Sequence, residues 1–138
     1  MNELFLERMR EMLKGEYPTY LEKLNDPARK GIRINTLKIT PADFFACTNY
    51  ELEKSPFAKN GYYANIKSGV GFTPEHMSGF FYIQEPSASS AVTILEPKPG
   101  MKVLDMCAAP GSKSTQISEL LHQCGLLVAN EIHPTRAR

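Results

Sequence analysis

Apolar residues first recur at intervals of three and four. Phe5, Met9, Met12 and Leu13 predict a helix over Asn2 to Lys14, stopped by Gly15. Tyr20, Leu21 and Leu24 share one face of a second short helix over Tyr17 to Leu24, which Asn25-Asp26-Pro27 ends. Both apolar faces are expected in a core. The pattern then changes. Gly31 to Lys38 sets Ile32, Ile34 and Leu37 loosely against Arg33, Asn35 and Lys38, the signature of a half-exposed strand. Thr40-Pro41-Ala42-Asp43 starts a helix, with Thr40 as cap, Pro41 in the first turn and Asp43 closing a capping box. Phe44 and Phe45 then turn inward at least in part. Pro56, Gly61, Gly69 and Gly71 among aromatics predict short strands and turns over Ser55 to Gly71, and Phe80 to Ile83 is a further strand. Pro86 opens a helix through Ala91, Val92, Ile94 and Leu95, and Pro97-Lys98-Pro99-Gly100 is a turn.

The most informative stretch follows that turn. Met101 to Met106 is a mostly apolar run, as expected of a strand buried on both faces of a parallel sheet. Cys107, Ala108, Ala109, Pro110 and Gly111 form a turn of small residues, with Gly111 free to take dihedrals closed to other residues. Ser112 offers an N-cap hydroxyl. Ile117, Leu120, Leu121 and Cys124 fall at i, i+3, i+4 and i+7, one helix face, with Gly125 at the C-cap position. Leu126 to Ala129 is a second buried-strand run, ending at Asn130-Glu131. The unit reads strand, small-residue turn, helix, strand, acid.

Glu131 stands about 20 residues after Gly111, the spacing at which nucleoside-binding sites of this topology place a carboxylate on a ribose diol. Backbone N–H groups at the helix start would face the same ligand. A dinucleotide loop needs G-x-G-x-x-G, and only Gly111 is present. A phosphate-cradling loop needs Gly-Lys-Ser/Thr, and here Ser112 separates Gly111 from Lys113. One glycine with Asp105 at the strand end suits a ligand without a pyrophosphate, such as S-adenosylmethionine, with Asp105 near its ammonium end. An ordinary βαβ unit without a ligand does not require acids at both strand ends.

The remaining composition narrows the field. The 138 residues, 42% of them hydrophobic, describe a globular chain of one domain, or one small domain with part of another. Sixteen basic against fifteen acidic residues leave no global field for nucleic acid, so any RNA site must be a local patch. Arg29, Lys30, Arg33 and Lys38 form such a strip within ten residues, facing either phosphates or solvent. No apolar run of membrane-spanning length and no signal layout occurs, so the expectation is a cytoplasmic protein with no membrane partner. Cys47, Cys107 and Cys124 have no metal spacing and are expected as reduced thiols, Cys124 in the core.

Asp105-Met-Cys-Ala-Ala-Pro-Gly-Ser-Lys-Ser-Thr-Gln resembles methyltransferase motif I of the Nol/Nop/Sun family of RNA cytosine-5 methyltransferases. Ile32-Arg33-Ile34-Asn35-Thr36-Leu37-Lys38 resembles the Arg-x-Asn-Thr-Leu signature of that family's amino-terminal region. Tyr82-Ile83-Gln84-Glu85-Pro86-Ser87-Ala88-Ser89 resembles its segment before motif I, and Val128 to Glu131 followed by Arg136 resembles motif II. The resemblance implies an α/β fold in two parts. Residues 1–95 would be an α+β module with an RNA-recognition-like subdomain. Residues 96–138 would be the first βαβ unit of a Rossmann-like methyltransferase sheet, left incomplete. It implies S-adenosylmethionine as cofactor, with Cys107 to Lys113 around its methionine end, Asp105 supporting the loop or facing the ammonium, and Glu131 on the ribose. It implies RNA, ribosomal RNA first, as partner, met by the basic strip. Ser112 departs from the glycine that many members carry.

The implied chemistry adds a thiolate to carbon 6 of the pyrimidine so that carbon 5 can take a methyl group, with the thiols in Pro-Cys and Thr-Cys motifs. Neither dipeptide occurs between Met1 and Arg138, so the catalytic cysteine is expected beyond Arg138. Cys107 belongs to the cofactor loop, and no catalytic residue is assigned. The reading is an amino-terminal part of such an enzyme, inactive alone. Its last 35 to 40 residues are expected to lack order or to pair with another chain through an open sheet edge. A non-catalytic RNA-binding module with a vestigial cofactor half is the alternative.

Overall fold

A computed structural model describes residues 2–66 and 69–137. Arg138, past which the catalytic cysteine is expected, lies outside the described residues. Helix α1 (Glu3–Leu13) starts at Asn2, whose side chain accepts the Leu4 N–H, and a short 3-10 turn leads to α2 (Tyr17–Lys23). The expected core role of α1 is not met. None of its residues is buried, and Leu4 and Met12 are about 70% exposed. Beside it lies the short α2, where Tyr17 is buried and Arg10 lies over the Tyr17 ring.

The chain then builds one antiparallel sheet of order β2-β3-β1-β4. Its strands are β1 (Gly31–Ile34), β2 (Leu52–Lys54), β3 (Gly61–Ala64) and β4 (Phe81–Ile83). Two short helices join it, α3 (Pro41–Cys47) and α4 (Pro74–Met77). Thr40 caps α3 as expected, accepting the Asp43 N–H while its hydroxyl donates to the Asp43 carboxylate. That cap aims Phe44 at one sheet face. Ile32, Ile34, Phe44, Ala64, Ile66 and Phe81 form a core there, with Phe44 edge-on to Phe81.

The other face of β1 departs from the expected half-exposed strand. All four β1 residues are buried, and the strand stops at Ile34 because Asn35 to Lys38 turn away. Arg33 pairs across the sheet with Tyr82 and Gly61, so its side chain leaves on the side opposite Ile32 and Ile34. A second layer lies there: α5 (Ser90–Leu95), β5 (Lys102–Asp105), α6 (Ser112–Leu121) and β6 (Leu126–Ala129). Strands β5 and β6 run parallel with Lys102 opposite Leu126 and Asp105 opposite Ala129. Val92, Ile117 and Leu121 make the second core with Val103, Leu120 and Leu127.

An ion pair joins the layers. Arg33 Nη1 donates to Glu119 Oε2 at 2.6 Å, with both side chains under 5% exposed. Arg33 Nε donates to Gln84 Oε1, and the second Glu119 oxygen accepts from Thr36 and Asn60. Burial pushes the Arg33 guanidinium below its ordinary value, and Glu119 opposes that shift. It remains a cation.

Three expectations for the last segment are corrected. The lack of order is one, since residues 102–129 form strand, helix and strand. Strand β5 is not buried on both faces: α6 covers Val103, while Leu104, Leu126 and Val128 are about half exposed on the bare side. Helix α6 ends at Leu121, with His122 as a left-handed C-cap, so Cys124 lies beyond it and is exposed. Gly125 serves the strand instead, because a Cβ there would stand 2.5 Å from the Met101 carbonyl oxygen.

Replacing Arg33 by Met alone strands the Glu119 charge in the interior, and the expected cost is about 3–5 kcal/mol. Adding Glu119→Leu to it is expected to restore part of that loss. Urea unfolding of the two variants checks the order.

Candidate functional site

The β5 strand carries its C-terminal Asp105 to the edge of a loop that small side chains allow to close tightly. The Asp105 carboxylate accepts the Cys107 N–H at 3.2 Å and the Ser114 hydroxyl at 2.6 Å. It supports the loop from inside, tying its start to the first turn of α6. The Ala108 N–H donates to the Asn130 carbonyl, and the Gly111 N–H to the Ala108 carbonyl at 2.7 Å. The Ala109–Pro110 bond is cis. Asn130 Nδ2 donates to the Met106 carbonyl, so the end of β6 grips the loop a second time.

Glu131 lies across the same loop. One of its oxygens accepts the Ala109 N–H at 3.2 Å and the other the His133 N–H at 3.0 Å. These bonds, the His133 amide first, hold its carboxyl below the usual range, with the Arg136 charge adding to them. Arg136 Nη2 also donates to the Ala109 carbonyl. The two acids are thus brought together on one loop, Asp105 beneath and Glu131 at its outer side.

The helix start corrects one expectation. Ser112 is the first helical residue, and the N-cap is Gly111 at φ +106°, where an L side chain is strained. Gly111 supplies no capping side chain, so the first-turn amides of α6 receive no capping side-chain acceptor. Lys113 is exposed beside them. Cys107, Ala108, Ala109, Pro110, Gly111 and Ser112 are half-buried or exposed, leaving backbone accessible along the loop.

The loop's far side is held from the antiparallel sheet. The Tyr82 hydroxyl donates to the Pro110 carbonyl at 2.8 Å, and burial pushes that phenol up. Arg33 Nη2 donates to the Ser112 carbonyl at 3.1 Å and to Thr115 Oγ1 at 2.7 Å. Sequence reasoning places Arg33 in a phosphate-facing strip. The structure removes it from that strip, since its guanidinium is spent on Glu119, Gln84 and the first turn of α6. Glu119 and the Tyr82 hydroxyl are functional groups that sequence reasoning misses. The available signal is on α6, where Ser112, Thr115 and Glu119 sit at i, i+3 and i+7, a polar stripe away from Ile117 and Leu121.

The remaining strip residues stay at the surface. Arg29 pairs with Glu53 and lies 3.6 Å over the Tyr63 ring, and Lys30 Nζ is 3.5 Å from the Ile66 carbonyl oxygen. Both line a groove of about 560 Å³ that Glu51 and Glu53 also line. Lys38 is exposed on the turn after β1. Among the described residues no cluster of His, Cys, Asp or Glu fits a metal ion, and no helix is long and apolar enough to cross a membrane.

Two family models match in sequence. Residues 1–86 match the N-terminal domain of 16S rRNA methyltransferase RsmF, and residues 92–138 match 16S rRNA methyltransferase RsmB/F. Curated relatives include the ribosomal RNA small subunit methyltransferase F of Shewanella loihica, 40% identical over 89% of this chain and 27% of its own length. The protein of that name from Escherichia coli (strain K12) is 37% identical over 97% of this chain and 30% of its own. The chain therefore spans less than a third of these relatives. Among solved structures, a methyltransferase homolog protein from Pyrococcus horikoshii superimposes with a TM-score of 0.86 at 30% identity, over 100% of this chain and 47% of that one. The crystal structure of NSun6 from P. horikoshii with SFG gives 0.82 at 17% identity, over 99% and 60%, a likeness of fold.

Because Glu131 holds two loop amides as a carboxylate, its depressed value makes their order complete above the ordinary glutamate range. It is lost as pH falls through the lowered value. Acidification below the ordinary glutamate range is expected to free the Ala109 and His133 amides. Glu131→Gln is expected to remove that acid limb, and amide NMR shifts of the two residues read it.

Proposed function

Since this chain belongs to the RsmB/F family of 16S rRNA methyltransferases, we propose that it carries the RNA-facing module and the first cofactor-binding unit of an S-adenosylmethionine-dependent RNA cytosine-5 methyltransferase acting on ribosomal RNA. The observation that carries this is the loop from Asp105 to Gly111, closed by one acid at the end of each parallel strand and opening on the uncapped start of α6.

The residues present fit that cofactor. Amides without a capping side chain suit a carboxylate or another acceptor, as at helix starts generally. Gly111 leaves open space, the nearest atom to a Cβ there being the Tyr82 hydroxyl at 3.9 Å. Each Glu131 oxygen accepts one amide and keeps lone pairs for two ribose hydroxyls. When bound, the cofactor supplies a methyl group on a sulfonium centre. This chain's part is to orient it: α6 and the loop at the methionine end, Glu131 at the ribose, Asp105 keeping the loop in shape. Arg29, Lys30 and Lys38 are the proposed phosphate contacts, without Arg33.

No thiol up to Arg138 is assigned to attack on the base. Cys107 is in the loop itself, Cys47 donates to the Phe44 carbonyl, and Cys124 lies on the connection to β6. The non-catalytic RNA-binding module is the second reading.

Calorimetry with S-adenosylmethionine is expected to show binding that Glu131→Ala abolishes. An unchanged affinity in the variant would refute the ribose assignment. With ribosomal RNA and radiolabelled cofactor, these 138 residues alone are expected to give no multiple turnovers.

A further inference from the structure

The antiparallel sheet does more than stand beside the cofactor loop. Arg33 and Tyr82 are direct partners across β1 and β4 and project from the same sheet face. Tyr82 donates to the Pro110 carbonyl, and Arg33 to the Ser112 carbonyl and Thr115 hydroxyl. These three acceptors bracket Gly111, the residue whose left-handed backbone turns the loop into α6.

A backbone carbonyl held by a donor cannot rotate, so its peptide plane is fixed. The Pro110 carbonyl shares its peptide plane with the Gly111 N–H, itself bonded to the Ala108 carbonyl, and the Ser112 carbonyl shares its plane with the Lys113 N–H, so holding both oxygens fixes how the turn presents the start of α6. The supports are rigid in turn. Arg33 is locked by Gln84 and Glu119, and β1 is an inner strand with hydrogen-bonded neighbours on both sides.

We propose that Arg33 and Tyr82 are positioning residues of the cofactor site, so that the sheet of the RNA-facing module forms the back wall of the methyl-donor pocket. This rests on the cofactor reading above. It goes beyond the layer-joining Arg33–Glu119 pair, because the Tyr82 hydroxyl addresses the Pro110 carbonyl of the loop and Arg33 also reaches the Ser112 carbonyl at the start of α6, oxygens that a purely adhesive contact has no need to choose. It also makes the sheet a mechanical link: displacement of β4 relative to β1 moves Pro110 and Ser112 apart.

The test uses the whole chain and three variants. Tyr82→Phe removes one hydroxyl and keeps the ring. Arg33→Lys keeps the charge toward Glu119 and loses the forked reach to Ser112 and Thr115. Ile34→Val trims the opposite core and touches no loop atom. Affinity for S-adenosylhomocysteine is measured by calorimetry, amide exchange over residues 106–114 by mass spectrometry, and stability by urea unfolding. One hydrogen bond lost corresponds to about a threefold to tenfold change. Tyr82→Phe is therefore expected to weaken binding by about that factor and to speed exchange in the loop, with Arg33→Lys larger in both. Ile34→Val is expected to lower the urea midpoint while affinity and loop exchange stay at parent values.

Parent-like affinity and loop exchange in Tyr82→Phe overturn the inference. So does an affinity loss in Ile34→Val proportional to its stability loss, which would reduce the effect to general loosening. If the parent chain itself does not bind, the cofactor reading falls and this inference with it.

Discussion

One buried cation, Arg33, organises the described residues of this chain. Arg33 enters from the middle of an antiparallel sheet and ends among the polar side chains of α6, with Glu119 as counter-ion. Such a pair adds little net stability over apolar residues of the same volume. What it does impose is uniqueness. In the observed docking of the sheet on α6 the guanidinium and carboxylate meet each other and the Thr36, Asn60 and Gln84 Oε1 groups. A purely apolar contact between the two layers would tolerate sliding, and sliding would displace the loop that α6 begins.

The second layer illustrates the division of labour between local and long-range interactions. Its strand–loop–helix–strand order follows from pattern and from small residues in the turn. The shape of the turn follows from contacts that sequence spacing does not announce: two acids accepting amides, Asn130 reaching back to Met106, and Tyr82 arriving from 28 residues earlier.

Much of this is legible in the sequence. The helix starts at Asn2 and Thr40, the turn at Gly15, strand β4, and the βαβ order all come from short-range rules of capping and periodicity. The acids at the two strand ends are legible for the same reason, since their positions depend only on where the strands stop. The failures share a different cause. Arg33 alternates with Ile32 and Ile34, and alternation says only that it leaves by the other face; whether that face meets water or a second layer is a tertiary fact. Cys124 continues the helical period past Leu121, but His122 and Gln123 adopt positive φ and end the helix first. Leu104, Leu126 and Val128 look like the interior of a sheet because they are strand residues of the right type, yet none of the described residues covers that side.

Withdrawing Arg33 from the surface has an effect on how ionic strength would govern RNA association. With Arg29 already shared with Glu53, the strip offers at most three cations to a polyanion. Each neutralised phosphate of a single strand releases about 0.7 of a condensed counterion. A contact made through Arg29, Lys30 and Lys38 alone therefore carries a logarithmic salt slope no steeper than about −2. On the RNA reading proposed above, a contact confined to these three residues would be weakened only gently by salt that strips strongly basic proteins from RNA.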